Sequence, residues 1–267
     1  MALNTNKHPE TQPRHIQEEL RIHQPWLAEL LPDGLPYPSS TLISGPGGSG
    51  KPLIGFAFVY DWLKAGGNVI FIPLQYPDTK LAKTSLKRLY DLDINEYSSK
   101  IAYIKLSPDL DRWKKINGNA LEANLLKPDV WDEAINEAEN LLAKGGDLGT
   151  LVSASALNLL LFSPTYRKHN LDKFERLLNE DKKRTYLFTV STEAFREDIK
   201  RWERAPDNLM FARMEKPMKL YLKVAKIENK QVSSKEIQVP IEKEILEEIK
   251  EIAESVRKRE IPKLMKI

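Results

Sequence analysis

The stretch Thr41–Pro52, TLISGPGGSGKP, constrains this chain more than any other. Thr41–Ser44 is a short apolar run that reads as a strand, and Leu53–Ala65 reads as the helix that follows, ended by Gly66-Gly67. Between them stand Gly45, Pro46, Gly47, Gly48, Ser49, Gly50, Lys51 and Pro52. These eight residues keep the phosphate-loop spacing G-x-x-x-x-G-K-[ST] in all but its last position. Glycines let successive backbone N–H groups converge on a phosphate, and the lysine adds a point charge. Pro52 stands where a hydroxyl would ligate Mg²⁺, and it also lacks an N–H. Proline is well tolerated in a first helical turn, so the pattern predicts a retained fold and weakened metal chemistry.

Downstream, apolar runs alternate with helical patterns. Asn68–Leu74 is almost wholly apolar, as a buried parallel strand requires. Asp78–Tyr90 reads as a helix opened by Pro77, Lys100–Leu106 as a strand, Ser107–Lys127 as an irregular segment, and Asp129–Lys144 as a helix. Strands follow at Leu148–Ala154 and Thr185–Ser191, with helices at Asn170–Leu178 and Thr192–Arg204. Strands at Asn208–Arg213, Lys219–Ile227 and Lys235–Val239 precede a charged amphipathic helix, Pro240–Lys258. The pattern predicts an α/β fold with a mainly parallel central sheet, helices on both faces and an antiparallel edge hairpin. Ligands of such sheets bind at the carboxyl ends of the strands, where the Gly45–Lys51 loop sits. At the N-terminus, residues 1–12 are polar, and His15–Leu31 carries Ile16, Leu20, Trp26, Leu27 and Leu30 at helical spacing.

Composition narrows the function classes. With 41 basic and 38 acidic residues the net charge is +3, which gives no whole-chain case for nucleic acid or an anionic membrane. The absence of cysteine removes disulfides, thiol catalysis and thiolate zinc sites. No stretch reaches 18 apolar residues and no signal core opens the chain, so a cytoplasmic protein is expected. A 30% charged content without cysteine fits a thermophile. His8, His15 and His23 read as surface histidines, because no second ligand set has metal spacing. The basic residues Lys182, Lys183, Arg184, Arg196, Lys200, Arg201 and Arg204 are interleaved with Glu193, Glu197, Asp198 and Glu203, which favours a solvated face over a nucleic-acid surface. Leu157–Phe162 reads as core rather than a docking patch.

The order of parts resembles the KaiC-like and RadA-like branch of the RecA superfamily of P-loop ATPases. The resemblance rests on Gly34–Lys51 and on the runs FIPLQYP, LGTLVSASAL and YLFTVSTE, and extends to the hairpin LYLKVAKIENKQVSSKEIQV. It implies a RecA-like core over residues 34–239, preceded by a tail and helix (1–33). A C-terminal helix (240–267) would pack on the core or on a neighbour. It also implies ATP or ADP at the loop, and rings or filaments with nucleotide at subunit borders. The chain departs from the family pattern where chemistry needs it. Gln75 stands for a catalytic carboxylate, Ala154 (within one residue) for the Mg²⁺ aspartate, and Glu228 for the arginine of a Lys-x-Arg finger that retains Lys226. Ser191 and Thr192 fall where a γ-phosphate sensor would. The leading expectation is a degenerate, non-hydrolysing nucleotide-binding regulatory or assembly subunit, with no tightly held Mg²⁺. It would form a homo-oligomer, or a hetero-oligomer with an active paralogue. The alternatives are a slow ATPase completed by a neighbouring subunit, and an interaction scaffold without nucleotide.

Overall fold

The computed structural model describes residues 18–75, 79–144 and 146–267. In chain order the elements begin with β1 (Glu18–Leu20), α1 (Pro25–Ala28), β2 (Leu35–Tyr37), β3 (Ser40–Gly45), α2 (Lys51–Lys64) and β4 (Asn68–Pro73). Next come α3 (Lys80–Tyr90), β5 (Ile101–Leu106), β6 (Trp113–Lys115), β7 (Ala120–Ala123), α4 (Pro128–Asn140) and β8 (Thr150–Ser155). The chain ends with α5 (Arg167–Glu180), β9 (Thr185–Ser191), α6 (Arg196–Arg204), β10 (Asn208–Glu215), β11 (Lys219–Lys226), β12 (Glu236–Gln238) and α7 (Lys243–Leu264).

Ten strands form one sheet in the order β12-β11-β10-β3-β9-β8-β4-β5-β7-β6. The interior pairs from β10 to β7 are parallel, while β11 and β12 at one edge and β6 at the other run antiparallel. The expected edge hairpin is therefore present. Alternation along each strand divides the core into two layers. Ile43, Val69, Phe71, Leu151 and Leu187 pack with α2 and α3 on one face. Leu42, Ile70, Ile72, Val152 and Phe188 pack on the other with Trp131, Phe174 and Trp202 of α4, α5 and α6. Leu157–Leu161 form a buried 3₁₀ turn after β8, so this stretch is core, as expected.

Three expectations are corrected. Over the described residues, the helix expected at His15–Leu31 is replaced by β1, paired antiparallel with β2, and the single turn α1. Pro25 explains the break, since it cannot donate to a preceding turn and is confined to a helix start. Leu20 and Ile22 are buried around an exposed Arg21, a period of two rather than 3.6. Second, the segment at Ser107–Lys127 contains the β6–β7 hairpin, closed by Ile116 N–H to Ala120 O at 2.9 Å around Asn117-Gly118. An Asn-Gly pair between short runs is a hairpin signal. Third, the C-terminal helix starts at Lys243 and continues to Leu264. Residues 1–17, with His8 and His15, lie outside the described residues, as do Tyr76, Pro77, Asp78 and Gly145.

Gly118 sits at φ +55° with nothing within 4 Å of an added Cβ. Gly118→Ala should therefore lose about 1 kcal/mol from the left-handed backbone alone. A urea midpoint shift of that size, with an unchanged slope, is the expected result.

Candidate nucleotide site

The loop between β3 and α2 is closed on its own lysine. Lys51, the first residue of α2, is 5% exposed. Its ammonium donates to Gly45 O at 3.0 Å, Pro46 O at 2.5 Å and Ser49 Oγ at 3.0 Å. Ser49 Oγ donates in turn to Pro46 O at 2.8 Å. Burial pushes the Lys51 amine down to about 7, with Glu193 opposing the shift and Arg257 adding to it. Gly48 and Gly50 take the left-handed backbone that the tight turn needs, at φ +70° and +69°. Gly45 is required for a different reason: a Cβ there would stand 2.0 Å from Ala212 O on β10.

The faces of Gly47, Gly48 and Gly50 meet α7 and Glu193. An added Cβ would lie 2.4 Å from Glu193 Oε2 and 2.8 Å from Arg257 Nη1 at Gly47. It would lie 3.2 Å from Lys250 Cγ at Gly48 and 2.8 Å from Leu246 Cδ2 at Gly50. Arg257 and Glu193 pair at 2.5 Å. Helix α7 therefore packs on its own chain. Its Ile245, Leu246, Ile249 and Ala253 join one core layer and Leu264 the other, so it crosses the carboxyl edge of the sheet.

Neither Gln75 nor Ala154, the positions expected for base and metal, is a carboxylate, while the Glu193 carboxylate meets the loop at Gly47, paired with Arg257. Gln75 follows β4 and donates from Nε2 to Ala253 O at 3.5 Å. Ala154, 1% exposed, packs in the layer of Ile72 and Phe188. Ser153 and Ser155 share instead the face of Leu151, beneath α2. Ser155 lies within the one-residue window given to the metal position. Ser155 Oγ and Tyr103 OH are buried with no hydrogen-bond partner among the described residues. Both border a cavity of about 30 Å³ with Pro52, Phe71, Leu187 and Thr189, room for one water at most. No group of three His, Asp or Glu side chains that could hold a metal occurs among the described residues. A lysine set in a glycine loop fits a phosphate in residue type. The neighbouring described hydroxyls and apolar walls are not a Mg²⁺ ligand set.

The remaining candidates separate. Thr192 N–H donates to Gly45 O at 3.0 Å, and Ser191 N–H to the buried Asn158 Oδ1 at 2.8 Å, so both sit beside the loop. Lys226 lies far along β11, donating to Pro206 O at 2.6 Å, and Glu228 N–H donates to Asn208 Oδ1 at 3.2 Å. Asn208 opens β10 beside Thr41, so both lie at the amino ends of the parallel strands, opposite this chain's own loop. Lys182, Arg184, Lys200 and Arg201 all pair with carboxylates, as a solvated face does. His23 bonds the buried Asp61 at 3.0 Å.

Residues 22–141 match the family model described as "ATPase: KaiC". This part of the chain is similar to the KaiC ATPase family. The match ends before β8, where the carboxylate-free strand end lies. The KaiC-like fold is also that of solved structures. One is the KaiC-like protein PH0186 from the hyperthermophilic archaeon Pyrococcus horikoshii OT3, with 16% identity, a TM-score of 0.61, and 85% of this chain and 96% of that one covered. Another is the flagellar accessory protein FlaH from Methanocaldococcus jannaschii, with 16% identity, a TM-score of 0.61, and 84% and 96% covered. No curated protein matches this chain significantly. No described helix is long and apolar enough to cross a membrane.

Glu193 and Arg257 meet the loop where sequence reasoning did not place them. Glu193 was visible only as one acid in a mixed-charge run, and Arg257 only as a polar position of an amphipathic helix. Neither has a local pattern that names its partner.

Proposed function

We propose that this chain is a degenerate KaiC-like protein that binds a nucleotide's phosphates without turning them over, and serves as a regulatory or assembly subunit. One observation carries the reading: Lys51 and its glycine loop are retained, while the adjoining cavity is bounded by Pro52, Phe71, Tyr103 and Ser155. A charge for phosphate is kept where the ligands for metal and the base for water are missing. Such losses compound, because a general base alone contributes about 10²–10⁴-fold in rate. The assembly role rests on the resemblance alone; Phe211 of β10, 38% exposed, stands between β3 and β11 rather than on the sheet edge. The partner proposed is a second copy of this chain or an active paralogue.

Calorimetric titration with ATP and ADP, in Mg²⁺ and in EDTA, tests the reading. Affinities in the two buffers should agree within about threefold. Binding that vanishes in EDTA, together with phosphate release, would favour a slow ATPase completed by a neighbour. No binding in either buffer would favour a scaffold without nucleotide.

A further inference from the structure

We propose that α7 is a lid on the phosphate loop, latched by the Arg257–Glu193 ion pair, and that it must lift before a phosphate can enter. The ligand in this proposal rests on the nucleotide reading above; the lid itself does not. Leu246, Lys250 and Arg257 lie along α7, and each touches one of the loop glycines Gly50, Gly48 and Gly47. The side of those glycines on which a Cβ would stand holds α7 side chains and the Glu193 carboxylate. The chain thus places its own anion on the loop, and Lys51 spends its three donors on Gly45, Pro46 and Ser49.

Among the described residues, few polar contacts hold the lid. Besides Arg257–Glu193, they are Gln75 to Ala253 O at 3.5 Å, Arg88 to Glu242 at 3.0 Å just before the helix, and Thr165 to Ile267 O just after it. Its apolar seat is incomplete. A groove of about 520 Å³, bordered by Leu81, Leu89, Ile252 and Val256, separates α7 from α3. The buried Ile245, Leu246, Ile249, Ala253 and Val256 make the lifted state a minor one, and the half-exposed latch beside the groove sets how often it forms. The segment of residues 239–242, between β12 and α7, is the hinge.

Lys51 itself reports the state of the lid. The full-length protein and the variants Arg257→Glu, Glu193→Arg and the double exchange are treated with an amine-reactive reagent, and each lysine is mapped by mass spectrometry. Wild-type Lys51 should label slowly. Each single variant sets like charges against each other, and should accelerate labelling of Lys51 about ten-fold through the opening equilibrium. The double exchange should return it to the wild-type rate. Other lysines should not change; acceleration spread over all of them would mean global unfolding and would count against a lid. Wild-type Lys51 labelling as fast as exposed lysines, or single variants labelling at the wild-type rate, would overturn the proposal. ATP should protect Lys51 in the single variants. Acceleration without protection by ATP would leave the lid standing and remove the nucleotide reading.

Discussion

Raising the pH from about 7 toward 10 should stabilise this protein, and Lys51→Met should abolish the gain. Burial holds the folded-state amine at about 7, while an unfolded lysine titrates near 10.5. Between those values the unfolded chain binds more protons than the folded one, so the free energy of unfolding rises with pH. The slope approaches about 1.4 kcal/mol per pH unit, and the total over the window is on the order of 3 kcal/mol. Above 10 the buried tyrosines Tyr90 and Tyr186, whose phenols are pushed up by desolvation, act in the opposite direction, which closes the window. Urea midpoints from pH 7 to 9.5 measure the effect. A flat wild-type profile would mean that Lys51 is solvated, contrary to its three inward hydrogen bonds.

Restoring the metal site should require Pro52→Thr first and an acid at Ser155 second. Pro52→Thr supplies the missing hydroxyl and the missing N–H together. A hydrogen bond to a charged group is worth roughly 1.5–3 kcal/mol, so Mg-ATP affinity should rise about ten-fold or more. Ser155→Asp adds a carboxylate on the face beneath α2, and Gln75→Glu adds a base. Ala154→Asp is the contrasting variant. It would bury a charge in the apolar layer of Ile72 and Phe188, so it should destabilise the fold by several kcal/mol, roughly the cost of an unpaired buried polar group. Calorimetry across the series, with urea midpoints alongside, separates the two effects. Unchanged affinity in Pro52→Thr on every background would mean that the loop is only a turn.

Much of this was legible in the sequence, for reasons that lie in periodicity. The apolar run Asn68–Pro73 is buried along nearly its whole length, as an interior parallel strand must be. The Gly66-Gly67 stop and the Gly45–Lys51 spacing fixed the loop between β3 and α2. The N-terminal segment was misread because its apolar residues fit two periods at once, and Pro25 decides between them. The hairpin at Trp113–Ala123 was missed because β6 and β7 have only three and four residues and little apolar pattern. The expected metal position, Ala154 within one residue, spans both faces of β8, because a strand's two faces differ by a single residue. Ser153-Ala154-Ser155 offers small side chains on both. The cover over the loop was not legible at all. Arg257 meets Glu193 from 64 residues away, and the helical period of α7 shows only that one face is apolar, not what it lies on.

On the proposed reading, a phosphate loop persists here without phosphoryl-transfer chemistry. Phosphate release by the purified chain at saturating Mg-ATP tests it most directly, with Lys51→Ala measured beside it. The account predicts release equal to a protein-free blank for both. A turnover above roughly 10⁻² s⁻¹, the order of a slow intrinsic NTPase with its arginine in cis, that disappears in Lys51→Ala would contradict it.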